Sequence, residues 1–185
     1  MSPLNSRLQL ALLNRKKARN ALEKGFTLVE LMIVIVIVGI LSAIALPNFL
    51  SQATKAKGTE GKSDISAIIK NAAAEYQNGG AVYVMDLLNG ATTPSSSFTK
   101  ITTFVSCEGI GGKPAGDTKK FDYTCGIDTN TGGDYELTVL ATGDNSDTNL
   151  TGKTIQQIAN LDTGLVTEDK ANTCKVFGGT KTTSC

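Results

Sequence analysis

The stretch Gly25-Phe26-Thr27-Leu28-Val29-Glu30 opens an apolar run that continues to Leu46, and this run decides the fold. The twenty-one residues from Phe26 to Leu46 contain a single charged side chain, Glu30. As an α-helix they would be about 30 Å long, because each residue adds ~1.5 Å, and that length crosses the hydrocarbon core of a bilayer. The sequence therefore predicts a membrane-spanning helix with one carboxylate near its N-terminal end.

This carboxylate has two interpretations. An ionised group in lipid is costly unless it is paired or solvated, so Glu30 indicates a functional role. Alternatively, the helix is a plain anchor and Glu30 lies in the headgroup layer.

Charge is distributed unevenly on the two sides of the apolar run. Residues 1–25 contain six basic side chains and one acidic, a net charge of +5, whereas the rest of the chain contains 12 basic and 16 acidic residues. A basic segment before an apolar span stays cytoplasmic, so the C-terminal part is expected to be translocated. A secretory signal has its small-residue cleavage site after the apolar stretch, but here Gly25 precedes it. Cleavage after Gly25 would keep the helix and create a free amine on Phe26.

This arrangement resembles the type IV prepilins, bacterial precursors of subunits that polymerise into pili. The resemblance covers the first fifty residues, through Lys24-Gly25, Phe26–Leu31, Gly39 and Ala45–Asn48, and leaves the remaining 135 without a recognised pattern. It implies that a membrane aspartic peptidase cuts after Gly25 and methylates the amine of Phe26. It also implies that Glu30 neutralises the Phe26 amine of a neighbouring subunit during assembly.

The same resemblance implies an α+β pilin fold, in which a long N-terminal helix packs on an antiparallel sheet. The expected organisation is a cleaved basic leader at 1–25, a transmembrane and filament-core helix at 26–47, an amphipathic second half of the helix at 48–79, and an extracellular β-rich head at 80–185. Between Gly39 and Pro47 the helix is expected to unwind inside the filament, although Pro47 alone would explain a simple kink.

The second half of the helix has an apolar stripe at spacings of three, four and seven residues. Its clearest part runs from Ile65 to Tyr76 and is expected to pack on the sheet. Gly58 and Gly61 are expected to weaken the helix upstream of the stripe, and Asn78-Gly79-Gly80 is expected to stop it. A loop is predicted to follow, from Ala81 to Lys100, with a short apolar piece at Val82–Leu88 that could form one helical turn.

Short β-branched runs separated by turn residues predict the sheet. The candidate strands, in chain order, are Ile101–Cys107, Phe121–Ile127, Tyr135–Thr142, Ile155–Leu161 (a helix or a strand) and Leu165–Thr167.

Four cysteines, Cys107, Cys125, Cys174 and Cys185, all follow the predicted span. An even number in a translocated domain indicates two disulfides, and four cysteines permit three connectivities. Cys107–Cys125 and Cys174–Cys185 are favoured because each closes a short segment. A zinc site is the alternative, but without histidine it would need all four thiolates at irregular spacings.

Two aspartate-rich loops are candidate calcium sites. The loops that start at Asp128 and Asp144 have Val139 and Ile155 at the twelfth position, where an EF-hand needs a glutamate. Both are interpreted as solvated turns, and Asn149-Leu150-Thr151, a glycosylation pattern by sequence, as part of a loop.

The composition gives no indication of an enzyme or a cofactor. The chain has no histidine, a net charge of +1 and 19% charged residues, and it contains no phosphate-binding glycine loop followed by Lys-Ser/Thr. These properties also argue against a specific nucleic-acid partner.

The favoured function is a structural subunit of a type IV pilus filament that serves motility, adhesion or DNA uptake. The expected partners are further copies of the chain in a helical filament, the prepilin peptidase, the inner-membrane assembly machinery and the membrane. The precursor is expected in the inner membrane and the assembled subunit outside the cell. The alternatives are a pseudopilin of a type II secretion system and an anchored binding protein that never polymerises, although the latter leaves Gly25-Phe26 and Glu30 unexplained.

Overall fold

The computed structural model describes residues 25–91, 95–112, 120–183 and 185, so all of the predicted leader except Gly25 lies outside the described residues. The chain divides into two compact units between Asn48 and Phe49. We call the second unit, Phe49–Cys185, the head.

One helix, α1, runs from Leu28 to Asn89 and is interrupted at Gly80, whose backbone angles (φ 72°, ψ −171°) are not helical. The predicted stop at Asn78–Gly80 is therefore a break between two helical segments and not the end of the helix. The chain becomes helical again because Ala81, Val84, Met85 and Leu88 form a new apolar face, and all four are buried. The loop predicted for Ala81–Lys100 is therefore wrong for residues 81–89, which are helical.

A five-stranded antiparallel sheet follows, with its strands in sequential order. The strands are β1 (Ile101–Ser106), β2 (Phe121–Thr129), β3 (Tyr135–Gly143), β4 (Thr154–Asn160) and β5 (Val166–Glu168). Short 3-10 helices cover Cys107–Ile110 after β1 and Lys175–Phe177 near the C-terminus. Each predicted strand is present with shifted ends, and the segment left open between helix and strand is β4.

The core of the head lies between α1 and one face of the sheet. The stripe of α1 buries Ile65, Ile68, Ile69 and Ala72, as predicted. Alternate residues of β3, namely Leu137, Val139 and Ala141, are fully buried and belong to the same apolar cluster. The alternation follows from the period-two geometry of a strand. The α+β arrangement that the prepilin resemblance implies is thus confirmed.

Gly58 and Gly61 are contact positions and not merely weak points of the helix. Both are buried, and a Cβ on Gly58 would lie 2.1 Å from a ring atom of Phe177. A Cβ on Gly61 would lie 3.0 Å from the ring of Phe121, which packs edge-on against Phe177 at 5.9 Å between centroids. The missing side chains let the helix approach the two aromatic rings.

Gly58→Val is therefore expected to destabilise the head by about 2 kcal/mol, because overpacking a close contact costs roughly 1–3 kcal/mol. Chemical denaturation of the full chain in detergent, followed by near-ultraviolet circular dichroism, measures the change. Ala74→Val, on an exposed position of the same helix, is the control and should cost well under half as much. A Gly58→Val chain that lost no more stability than the Ala74→Val chain would show that contact with Phe177 does not require the glycine.

Two disulfides join Cys107 to Cys125 and Cys174 to Cys185, the pairing that the short separations favour. The first links the 3-10 helix after β1 to the middle of β2. The second connects the C-terminal residue to Cys174, which lies fully buried before the second 3-10 helix. Each bridge therefore closes a local loop of the head.

The double variant Cys107→Ser, Cys125→Ser is expected to lose about 3 kcal/mol of unfolding free energy, since the closed loop removes chain entropy from the unfolded state. Denaturation of the oxidised wild type and the variant measures this loss, and peptide mapping without reduction checks the pairing. A peptide that joins Cys107 to Cys185 would contradict it.

Candidate processing and assembly segment

The junction between Gly25 and Phe26 lies in non-helical backbone directly before α1. Both residues are exposed, and among the described residues no heavy atom lies within 4 Å of the place where a Cβ on Gly25 would sit. Contacts within the described chain therefore do not require a glycine here. A requirement for a small residue at this position would have to come from something that binds the junction.

Thr27 and Glu30 form a reciprocal cap at the start of α1. The backbone N–H and the hydroxyl of Thr27 donate to Oε2 of Glu30 at 3.0 and 2.9 Å. The backbone N–H of Glu30 donates to Oγ1 of Thr27 at 3.2 Å. This is a capping box, which satisfies two of the donors that a helix leaves open at its N-terminus. The pattern Thr-x-x-Glu was visible in the sequence, but sequence reasoning assigned Glu30 to assembly alone and missed Thr27.

The cap still leaves the Glu30 carboxylate accessible. Its hydrogen bonds within the described chain go to Oε2, so Oε1 has no donor there. Glu30 is exposed, as are its neighbours in α1. A donor from another molecule can therefore reach the carboxylate without breaking the cap.

The apolar surface that follows is uncovered in the single chain. Every large apolar side chain from Phe26 to Leu46 is more than half exposed. The part of the chain that the structure describes has one helix long and apolar enough to cross a membrane, and its most apolar window is entirely unburied. Such a surface requires lipid or other protein to cover it.

Gly39 and Pro47, the predicted weak points, both lie inside α1. The residue at which the backbone leaves the helical region is Gly80, far beyond them. A Cβ on Gly39 would meet no heavy atom within 4 Å among the described residues. Unwinding between Gly39 and Pro47 in a filament therefore stays a prediction.

Polar contacts fasten the head's part of α1 to the sheet and its loops. Lys62 pairs with Glu168 at 2.8 Å, and Tyr123 donates to Asp64 at 2.9 Å. Lys57 pairs with Asp147, and this hydrogen bond holds the pKa of Asp147 below its usual value. Sequence reasoning missed these pairs because partners some sixty to a hundred residues apart meet only in the folded chain.

A further polar contact lies at the turn between β4 and β5. Tyr76 of α1 donates to Asp162, which also accepts from the backbone N–H of Tyr135 at 2.7 Å. The hydrogen bond to Asp162 raises the pKa of Tyr76 to about 12 and lowers that of Asp162. The bond therefore fixes the position of this turn against the helix.

The two aspartate-rich loops, the candidate calcium sites, form turns. Oδ1 of Asp144 accepts from the N–H of Ser146 at 2.5 Å, and Oδ1 of Asp147 accepts from the N–H of Asn149 at 3.0 Å. Within residues 25–91, 95–112, 120–183 and 185, no group of three acidic, cysteine or histidine side chains is arranged to hold a metal.

Comparisons with known proteins concern the segment that contains this junction. Residues 20–46 match the family model described as the prokaryotic N-terminal methylation motif. The type IV major pilin PilE of Neisseria gonorrhoeae is 41% identical over 83 residues, which is 42% of this chain and 46% of that protein. The type IV major pilin PilA of Myxococcus xanthus is 49% identical over 49 residues, 26% of this chain and 22% of PilA. Core protein G of the type II secretion system of Pseudomonas aeruginosa is 50% identical over 46 residues, which is 25% of this chain and 32% of that protein.

The chain thus spans less than half the length of each of these relatives. No solved structure matches it. A long helix with an uncovered apolar half, followed by a five-stranded antiparallel sheet, is a pilin-like arrangement. The resemblance to the type IV pilin and pseudopilin family is confirmed, and it is carried by the N-terminal segment with the methylation motif.

Proposed function

We propose that this chain is a structural subunit of a type IV pilus, cut after Gly25, methylated at Phe26 and assembled through Glu30. The observation that carries the proposal is the junction itself. An exposed Gly25 that no contact in the described chain requires is followed by a capped, charged helix start and an uncovered apolar helix. Peptidase recognition, amine pairing and bundle formation would use these three features in turn.

Assembly explains the uncovered helix better than anchoring does. A single anchor needs an apolar surface towards lipid but has no use for a carboxylate within it, since an unpaired charge there is costly. In a filament the apolar faces of neighbouring helices cover one another, and a free amine on Phe26 can pair with Glu30 of another copy. The precursor would wait in the inner membrane for the assembly machinery, and the head would be displayed outside the cell.

A pseudopilin of a type II secretion system is the second candidate, and the similarity to core protein G favours it. Both functions require processing and polymerisation. They differ in where the filament ends. A pilus extends from the cell, whereas a pseudopilus stays in the periplasm.

The test is to shear the surface of the native host and to measure the intact mass of this chain in the sheared and membrane fractions. The expected result is a mature chain of 160 residues that begins with methylated Phe26 and is abundant in the sheared filaments. A processed chain confined to the envelope would favour the pseudopilin. A chain that keeps residues 1–25, or that begins after Leu46, would overturn the proposal.

A further inference from the structure

A basic cleft of about 390 Å³ opens between α1 and the C-terminal turn of the head. Lys55, Thr59 and Lys62 line it from α1, at spacings of four and three that place them on one helix face. Lys175 lines it from the opposite side, and Gly58 and Phe177 complete the lining. We call this the basic cleft.

The basic cleft holds uncompensated positive charge. Lys62 is paired with Glu168, but Lys55 and Lys175 have no carboxylate partner among the described residues, and both are exposed. From Phe26 onward the chain has 12 basic and 16 acidic residues, so the cleft is a local exception to a net negative chain. The surface therefore suits an anionic partner.

The turn between β2 and β3 has the opposite charge. Asp128 and Glu136 lie directly opposite each other on the paired strands, an arrangement of like charges that is unfavourable unless a cation approaches. Asp134 lies between them in sequence and is held by the side-chain amides of Asn130 and Asn160 at 3.4 and 3.0 Å. We call Asp128, Asp134 and Glu136 the acidic hairpin.

Little within the described chain neutralises the acidic hairpin. Lys100 approaches Asp128 at 3.6 Å, and this exposed pair contributes little. Asp134 and Glu136 have no basic partner among the described residues. Among the described residues, the acidic hairpin thus has two carboxylates without a basic partner. The basic cleft has two ammonium groups without a carboxylate partner.

The two surfaces lie at opposite ends of the head. Gly58 of α1 is at the level of the basic cleft, where it meets Phe177. Tyr76 of α1 is at the level of the acidic hairpin, because its ring lies 6.1 Å from that of Tyr135. Eighteen residues separate Gly58 from Tyr76, which is about 27 Å along a helix. Within one chain the two surfaces cannot meet.

We propose that the acidic hairpin of one copy docks in the basic cleft of the next copy. Complementary surfaces at opposite ends of one molecule make a head-to-tail contact, and such contacts build open helical assemblies when they do not close into a ring. Charge complementarity of this kind steers association and sets register more than it adds affinity. The inference rests on the proposed function, since it concerns how the heads of a filament meet.

Zero-length carbodiimide cross-linking of purified filaments, followed by peptide mass spectrometry, tests the contact directly. The expected products join Lys55 or Lys175 to Asp134 or Glu136, and the 27 Å separation along α1 (~1.5 Å per residue) makes them intermolecular. The pairs Lys57–Asp147 and Lys62–Glu168 should cross-link within each chain, and they serve as internal positive controls for folding and chemistry. Filaments that yield the control products but none of the intermolecular ones would overturn the proposal.

Charge reversal tests the contact in the full chain. Two double variants each reverse one surface: Lys55→Glu with Lys175→Glu, and Asp134→Lys with Glu136→Lys. Each double variant is expected to lower the amount of sheared filaments about tenfold, since like charges then face each other. The variant with all four changes should recover most filaments, because complementarity is restored with inverted signs. Lys70→Glu and Glu108→Lys, at exposed positions outside both surfaces, are matched controls and should leave filaments unchanged.

The outcomes separate this inference from the proposed function. Absence of wild-type filaments would overturn both. Wild-type filaments together with full assembly of the reversed variants would overturn the contact alone. Heparin, a soluble polyanion, probes the basic cleft. If filaments of the double variant Lys55→Glu, Lys175→Glu form normally but no longer bind heparin, the cleft binds a soluble polyanion and the proposed contact is wrong.

Discussion

Glu30→Gln is expected to reduce sheared filaments to below roughly one hundredth of wild type, the scale implied by removing one partner of a buried ion pair. Glutamine at this position can still form the reciprocal cap with Thr27, because the capping box accepts either Glu or Gln. The substitution therefore removes the charge and keeps the helix start. The membrane pool, the disulfides and the fold of the head should be unaffected, since the side-chain hydrogen bonds of Glu30 within the described chain are to Thr27 and survive the substitution.

Thr27→Ala is the matched control for the cap. It removes the hydroxyl that donates to Glu30 and accepts from its backbone N–H, but it leaves the carboxylate in place. If charge pairing drives assembly, Thr27→Ala should retain most filaments while Glu30→Gln loses them. The reverse order, with Glu30→Gln filaments abundant and Thr27→Ala filaments lost, would assign Glu30 to helix capping and refute the assembly role.

Gly25→Ile is expected to stop maturation almost completely. A branched side chain beside the scissile bond would obstruct a peptidase that accepts a small residue, whereas a Cβ at this position meets no described heavy atom within 4 Å. The full precursor should therefore insert and fold, keep its 25-residue leader, and yield no filaments. Intact mass of the membrane fraction and counts of sheared filaments measure the two effects.

Gly39→Ala controls for the loss of a glycine inside the apolar helix, away from the junction. It should be processed normally, since it lies 14 residues beyond the junction within α1. Gly25→Ala should be cut slowly and give an intermediate amount of mature chain. If the Gly25→Ile chain were cut and assembled normally, processing at this junction would be disproved.

Local patterns in the sequence determined the elements of this protein. The apolar run after Gly25 predicts a spanning helix because twenty-one nearly uncharged residues match the thickness of a bilayer. Short β-branched runs predict β1, β2, β3 and β5 and leave β4 open between helix and strand, since such runs depend only on near neighbours in the chain. The disulfide pairs could be favoured from short separations for the same reason.

Long-range contacts were decided only in the tertiary structure. Gly58 was expected to weaken α1, yet the ring of Phe177, more than a hundred residues away in the chain, makes it a contact position. Gly80 was expected to end the helix, but burial of Val84 and Leu88 in the head core stabilises a further helical segment. The basic cleft likewise depends on the fold, which brings Lys55 and Lys175 to one opening. No local pattern encodes such pairings, because their free energy comes from surfaces that meet only when α1, the sheet and the C-terminal turn have packed together.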